Sequence, residues 1–322
     1  MIELRPAGLY CPAGDFYVDP WSPVDRAIVT HAHPDRALPG SRAYLTSADG
    51  APLVAEILGD PANIQAVPYG QRLTLGDCTV SLHPAGHILG ASQVRIETHR
   101  PPSPGPASPG QVWCVSGDYQ LAPDPTCAPF EPVVCHTFVT ESAFALPIFR
   151  WPDASATVAA IDSWWRANRD AGRASVLFAN PLGTAQRLMA MLEGPIHVHQ
   201  EVDRFSRHYR VHRAAVGDGV REALVIAPPS AAGTPWMRPY AKASTAMASG
   251  WMRLRGPRRR RALDRGFVLS AHADWPALLQ AIDATRAETV WVTGGQRAPL
   301  VRWLQENGRA ALAIDAHFAE DE

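Results

Sequence analysis

The chain has 322 residues, with 30 Lys+Arg against 31 Asp+Glu and a formal net charge of −1. Hydrophobic residues make up 46% and charged residues 19%, which excludes a disordered chain and allows a large buried core. The near-zero net charge argues against nucleic-acid binding through bulk positive charge, but it leaves a local basic patch open.

Short β-type runs alternate with helical patterns along the first part of the chain, which predicts an α/β fold. Strands with tight turns are expected over residues 1–30, and they end in the apolar run Ala27–Thr30. A short helix is expected at Pro52–Leu58, followed by strands around Thr79–Leu82, Gln93–Glu97 and Val112–Val115. The proline-rich segment 101–110, between the last two strands, predicts an exposed hairpin loop.

The middle of the chain, residues 145–255, has the pattern of a separate α/β unit. Its predicted elements are helices over Val158–Ala167 and Leu182–Leu192 and strands over Ser175–Ala179 and Ala223–Ala227. Strand–helix alternation then resumes, with strands at Gly266–Ser270 and Thr289–Thr293 and helices from Asp274 and near Pro299–Glu306. We therefore expect one domain made of residues 1–144 and 256–322, interrupted by an inserted domain.

The motif THAHPD, at Thr30–Asp35, has the spacing of a metal site. His31 and His33 follow an apolar strand, and Asp35 lies two residues further on. In a loop that leaves a strand, alternate side chains can converge on one point, as metal chelation requires. Neutral imidazoles and a carboxylate suit zinc, manganese or iron. The alternative is a pair of polar loop histidines that bind no metal.

Two later segments favour the metal interpretation. HPAGHILGAS places His87 in a glycine-flanked loop after a predicted strand, and VWCVSGDY ends a strand with Gly117 and Asp118. Taken singly, a turn histidine and an SGD turn are ordinary surface features. Because both segments follow the HxHxD motif in this order, we interpret all three as parts of one metal site.

With these motifs in place, the sequence resembles the metallo-β-lactamase fold. FVTESAFALP, which contains Glu141, and LSAHADW, which contains His272, narrow the resemblance to the β-CASP nucleic-acid-processing branch. The runs YCPAGDF, VDPW, GHILG, TESAFALPIFRW, ASGWM and LSAHADW closely resemble the bacterial ligase-associated DNA damage response exonucleases, relatives of the DNA cross-link repair nucleases. The resemblance covers nearly the whole chain. It implies a four-layer αββα metallo-β-lactamase sandwich with a β-CASP cap at 145–255, and a metal-dependent DNA exonuclease that works in repair.

The resemblance also implies a role for each site residue. It implies that one tightly bound Zn²⁺ is held by His31, His33, His87 and Asp118. Asp35 and the bridging Asp118 would be left for a weak second site that suits Mn²⁺ or Mg²⁺, and Asp35 is also a candidate to orient or deprotonate the attacking water. His272 would contact the scissile phosphate or protonate the leaving oxygen, oriented by Glu141. Asp19, in YVDPW, would support the metal loop from behind the ligands.

Two positions depart from the family pattern. Arg36 stands where HxHxDH has its last histidine, and Gly294, in WVTGGQ, stands where a histidine usually follows the strand. Both missing histidines would ligate the second metal. Three interpretations follow: Arg36 places its guanidinium where that metal would sit in a one-metal enzyme; the chain is a scaffold that binds nucleic acid without cutting it; or the substitutions merely weaken activity.

An arginine cluster directly precedes the strand that leads to His272. Seven arginines lie within the thirteen residues Arg253–Arg265. This placement favours a grip on the phosphate backbone of single-stranded DNA or DNA ends, and a solvated protein edge is the alternative. The candidate contacts are Arg253, Arg255, Arg258, Arg259, Arg260 and Arg261.

The resemblance and the composition also give expectations for the binding partners and the cellular compartment of the protein. Family context implies an ATP-dependent DNA ligase and a helicase as partners, and RNA processing is the rival function because β-CASP enzymes cut both polymers. No apolar run reaches the roughly 18 residues that span a bilayer, and no signal-peptide pattern is present, so we expect a bacterial cytoplasmic protein without membrane contact. The five cysteines form no CxxC pair, which favours a reduced compartment.

Overall fold

A computed structural model describes residues 1–98, 110–211, 223–254, 256 and 263–315. Strands and helices alternate through these residues, and the predicted α/β class is confirmed. The chain forms two compact units: the first joins Met1–Ile148 to the C-terminal segment that begins at His272, and the second is Phe149–Ala271. Within the described residues, no helix is long and apolar enough to cross a bilayer.

The described strands, in chain order, are β1 (Glu3–Arg5), β2 (Gly8–Cys11), β3 (Phe16–Val18), β4 (Arg26–Ile28), β5 (Ala43–Ser47), β6 (Ile64–Val67), β7 (Leu73–Leu75), β8 (Cys78–Pro84), β9 (Ser92–Thr98), β10 (Val112–Val115), β11 (Thr137–Thr140), β12 (Ser175–Phe178), β13 (Ile196–Val198), β14 (Leu224–Ala227), β15 (Ser244–Ala248), β16 (Arg265–Phe267), β17 (Thr289–Val292) and β18 (Ala310–Ala313). The described α-helices are α1 (Ala51–Leu58), α2 (Ala154–Asp170), α3 (Thr184–Met191), α4 (Gln200–Ser206), α5 (Trp275–Thr285) and α6 (Arg297–Glu306). Short 3₁₀ segments lie at Pro229–Ala231, Pro235–Tyr240 and Gly250–Arg253.

The first unit contains two sheets that share one apolar core. One sheet runs β1-β2-β3-β4-β5-β6 and the other runs β18-β17-β11-β10-β9-β8-β7. Alternate residues of both sheets, such as Leu9 and Ile28 from one and Val80 and Val94 from the other, meet in the same buried cluster. Helix α1 packs against β5 and β6, and α5 and α6 pack against β11, β17 and β18. Burial of one face of each sheet is the main source of stability for such a sandwich.

Strand direction determines where the loops of the first unit meet. β10, β11 and β17 are parallel neighbours, so the residues that follow them leave the sheet at one edge. β4 is parallel to both β3 and β5, and the THAHPD loop follows it. Polar residues that directly follow these strands are therefore brought together by topology rather than by closeness in sequence.

The second unit is built on a parallel sheet of order β13-β14-β12-β15-β16. One apolar cluster combines sheet residues with α2 and α3, and it includes Trp164 and Trp165. A second cluster combines the sheet with the 3₁₀ segments, through residues such as Met247 and Met252. The sheet is thus covered by apolar contacts on both sides, as all-parallel sheets generally are.

The boundaries of this unit differ from the expected 145–255. The predicted strand at Gly266–Ser270 was assigned to the resumed first domain, but it is β16, at Arg265–Phe267, and it pairs with β15. The second unit consequently continues to Ala271. A strand pattern shows that a segment is extended and does not show which sheet it joins. The predicted loop at 101–110 falls, apart from Gly110, outside the described residues.

Candidate metal centre

The THAHPD loop is held in place by Asp19 and by a tight turn. Asp19 has a left-handed backbone conformation, with φ of 44°, and both of its carboxylate oxygens face the start of the loop. They accept hydrogen bonds from the Thr30 amide at 2.8 Å and the Thr30 hydroxyl at 2.6 Å. The carbonyl of His33 accepts from the amides of Arg36 and Ala37, at 3.0 and 2.8 Å, which closes the turn. The predicted supporting residue therefore acts on the loop directly before the first histidine.

The four residues predicted to hold the metal lie together. Suitable donor atoms of His31, His33, His87 and Asp118 all lie within 4.8 Å of one another, and all four side chains are buried. The three imidazole rings are mutually edge-on, with centroids 4.8, 4.9 and 5.1 Å apart. Three imidazoles and a carboxylate match the donor set of zinc sites and also suit manganese or iron. This cluster can therefore hold a single metal ion.

The hydrogen bonds around Thr30 assign the tautomer of His31. The Thr30 hydroxyl has one proton, which it donates to Asp19, so it accepts a proton from Nδ1 of His31 at 2.9 Å. Nε2 of His31 then carries a lone pair and lies 3.3 Å from Oδ2 of Asp118. Two electron-rich atoms at this distance repel unless a cation lies close to both. The arrangement therefore suits a pair of metal ligands.

Burial and neighbouring charges put the donors in their metal-binding forms. Burial lowers the pKa of the His31 imidazole to about 4, and burial together with His272 and His31 holds the pKa of His87 well below its usual value. Burial alone would raise the pKa of the Asp118 carboxyl, but Arg36 and His31 hold it well below its usual range. Near neutral pH, His31 and His87 are neutral and Asp118 is ionised, as metal ligation requires.

The low pKa of His31 predicts acid sensitivity of the metal-free protein. The unfolded histidine takes up a proton near pH 6.5 and the folded one near about pH 4, so acid favours the unfolded state. His31 alone should lower the free energy of unfolding by up to about 3 kcal/mol as the pH falls from 7 to 4. Urea unfolding with a chelator present measures this. The variant His31→Gln lacks the titrating ring, and an unchanged pH slope in that variant would contradict the prediction.

Arg36 lies among the acidic residues of the centre. Its side chain is buried, and Nη2 donates to Oδ1 of Asp118 at 2.7 Å. Nε is 3.4 Å from Oδ2 of Asp35, and Nη1 is 3.9 Å from Oδ2 of Asp19. The guanidinium thus contacts the oxygen of Asp118 opposite to the one that faces His31.

The other altered position, Gly294, is the second residue after the end of β17. It has φ of +65°, a conformation that strains residues with a side chain, although the space around a Cβ there is open. Its carbonyl accepts a hydrogen bond from the Ser142 hydroxyl at 2.7 Å. The positive φ angle by itself favours glycine at this position.

Glu141 and His272, the predicted catalytic pair, lie beside the metal cluster. Nδ1 of His272 is 3.3 Å from Oε1 of Glu141, and the His272 ring is 4.7 Å from that of His87. Both carboxylate oxygens of Glu141 are fixed by main-chain amides, Oε1 by Tyr119 at 3.1 Å and Oε2 by Ala143 at 3.2 Å. Asp118, Glu141 and His272 also have donor atoms within 4.8 Å of one another, so they form a second metal-capable group.

Sequence reasoning missed two positioning residues. Thr30 links Asp19 to His31, and Gln120 donates from Nε2 to the carbonyl of His272 at 2.6 Å. Thr30 begins the metal motif, and Gln120 lies two residues after Asp118. Their positions next to predicted ligands are the only sequence signal for these roles.

Of the six arginines predicted to contact DNA, one lies within the described residues. Arg253 is exposed at the end of a 3₁₀ segment in the second unit. Arg255 and Arg258–Arg261 lie outside the described residues. Contact between this cluster and DNA stays a prediction.

The chain is similar in sequence to a curated protein and similar in fold to a solved structure. No family model matches the chain. A protein of Opitutus terrae named "Probable DNA ligase" is 29% identical over 318 residues, which are 95% of this chain and 30% of that protein. The chain therefore spans less than a third of that curated relative. A crystal structure of a protein of unknown function from Enterococcus faecalis V583 has a TM-score of 0.59 and 13% identity, over 91% of this chain and 79% of that one, which shows a shared fold.

Proposed function

We propose that the chain is a metal-dependent phosphodiesterase that removes nucleotides from DNA ends, a β-CASP exonuclease of the metallo-β-lactamase fold. The observation that carries the proposal is the buried cluster of His31, His33, His87 and Asp118, in which Nε2 of His31 faces an ionised carboxylate. Two sheets with a common core, helices on each sheet and a separate α/β unit agree with a four-layer sandwich that carries an inserted cap.

The chemistry divides between the metal and the residues beside it. A bound zinc or manganese ion would supply Lewis-acid activation of water and of the phosphate. His272 is placed to handle the proton of the leaving oxygen, because its ring lies beside the metal cluster and Glu141 orients it through Nδ1. The two amides that hold Glu141 keep this pair fixed. Asp35, on the metal loop, is the candidate to orient the attacking water.

Similarity to part of a protein named as a DNA ligase supports DNA as the substrate. The shared region covers 95% of this chain. A DNA ligase joins DNA ends, and ends that carry damaged or unmatched nucleotides must be trimmed before they are joined. An exonuclease and a DNA ligase therefore act on the same ends, which favours DNA over RNA and a ligase as the functional partner.

Cleavage of labelled oligonucleotides tests the proposal. We expect the metal-free protein to be inactive and to shorten 5′- or 3′-labelled single-stranded DNA stepwise when Mn²⁺ or Zn²⁺ is added, with slower cleavage of RNA of the same sequence. Asp118→Ala, purified in parallel, controls for contaminating nuclease. Equal cleavage by that variant would overturn the proposal, and faster cleavage of RNA would assign RNA as the substrate.

A non-catalytic DNA-binding role is the second candidate, because of one specific contact. Nη2 of Arg36 donates a hydrogen bond to Oδ1 of Asp118 at 2.7 Å, which makes that oxygen less available to a metal. Under this alternative, the protein shifts labelled DNA in a gel without shortening it, and Asp118→Ala binds DNA as the wild type does.

A further inference from the structure

Three carboxylates of the metal centre surround the guanidinium of Arg36. Asp19 and Asp118 are almost fully buried, and the Asp35 side chain is 12% exposed. All three carboxylates lie within 4 Å of the Arg36 guanidinium. Glu141 makes its contacts elsewhere, with two main-chain amides and with Nδ1 of His272. Among these described side chains, three carboxylates and one guanidinium carry a formal charge of −2, which one divalent cation would balance.

The two carboxylate oxygens of Asp118 face different groups of the centre. Its Oδ2 lies 3.3 Å from Nε2 of His31, on the side of the three imidazoles, and its Oδ1 lies 2.7 Å from Nη2 of Arg36. The same carboxylate that contacts the guanidinium would therefore also help to hold an ion bound by the imidazoles. Buried carboxylates without a compensating charge are strongly unfavourable, so the place occupied by Arg36 requires a cation of some kind.

We propose that the Arg36 guanidinium is the permanent second cation of this centre, so that the protein holds one divalent ion and excludes another. The inference rests on the metal cluster of the proposed function but needs no DNA cleavage. The charge balance makes a second divalent ion unfavourable, since it would leave two uncompensated positive charges beside Arg36. The guanidinium also fills the space among Asp19, Asp35 and Asp118.

Removal of the arginine charge should open a new cation site. In Arg36→Gln, the carboxylates of Asp19, Asp35 and Asp118 keep their positions on three separate loops but lose their shared partner. Clustered carboxylates are good ligands for Mn²⁺ and Mg²⁺ and poor ones for tight zinc binding. Arg36→Gln should therefore bind two Mn²⁺ ions per chain, the second more weakly, whereas the wild type binds one. Arg36→Lys keeps the charge and should also bind one.

Manganese titration of the full, chelator-treated chain without DNA tests this inference. Free Mn²⁺ is counted by electron paramagnetic resonance and bound metal by elemental analysis after desalting. Circular dichroism confirms folding, and Arg36→Met replaces Arg36→Gln if the latter does not fold. Two equivalents in the wild type, or one equivalent in every folded variant that lacks the charge, would overturn the inference. A wild type with one equivalent that cuts no DNA would instead leave the inference standing and remove the proposed function.

Discussion

Replacement of His33 by alanine is expected to remove tight metal binding and DNA cleavage together. His33 supplies one of four donors in a buried cluster, so its removal leaves three protein donors for the ion. Sites with four protein ligands bind zinc with apparent free energies of about 10–16 kcal/mol, so one donor contributes roughly 3–4 kcal/mol. Affinity should fall by about 10²–10³-fold, and cleavage at micromolar metal should fall at least as far. Zinc titration against a chelating dye, run beside the oligonucleotide assay, measures both.

His83 offers a matched control for this variant. It lies on β8, where Nε2 is 3.0 Å from the Ser81 hydroxyl and Nδ1 is 2.9 Å from Glu131, and it belongs to neither metal-capable group. His83→Ala should leave metal affinity unchanged. A similar loss of metal in both variants would show that general destabilisation, rather than ligand removal, explains the effect of His33→Ala. Retention of one tight equivalent in His33→Ala would contradict the assigned cluster.

The closeness of several residues of the centre could be expected from the sequence, because they lie within a few residues of strand ends. His31 and His33 follow β4, Asp118 follows β10, and Glu141 follows β11. Parallel strands place such residues at one edge whatever their separation in the chain, so order and spacing alone carry the signal. The same argument extends to His87, in the loop between β8 and β9.

The hydrogen-bond and ion-pair partners of those residues could not be predicted in the same way. No spacing rule shows that Thr30 connects Asp19 to His31, because hydrogen bonds depend on side-chain rotamers. The sequence allows three interpretations of Arg36, and the contacts of its guanidinium with Asp118, Asp35 and Asp19 place it among the carboxylates. The end of the second unit was missed for a related reason, since strand pairing between β15 and β16 is not local in the sequence.

Loss of the His272 imidazole is expected to separate catalysis from metal binding. His272 lies 4.7 Å from His87, outside the cluster of three imidazoles and Asp118. A positioned acid contributes about 10²–10⁴-fold to the rate, so His272→Gln should lower kcat by this factor while one equivalent of metal is retained. Single-turnover cleavage at saturating DNA, combined with metal analysis of the same samples, checks the prediction. Loss of the metal in His272→Gln would place His272 among the ligands, through the group that it forms with Asp118 and Glu141.

Glu141 should act only through His272, which a double-mutant cycle can measure. In Glu141→Gln, one carboxylate oxygen becomes an NH₂ group that faces either the Tyr119 amide or the Ala143 amide, both of which are donors. The carboxamide therefore orients His272 poorly, and we expect a 10–100-fold loss of kcat, as is usual for residues that support a site from behind. Because the two residues act as a unit, the double variant should be no slower than His272→Gln alone. Additive losses would instead assign Glu141 a contact of its own with the metal or the substrate.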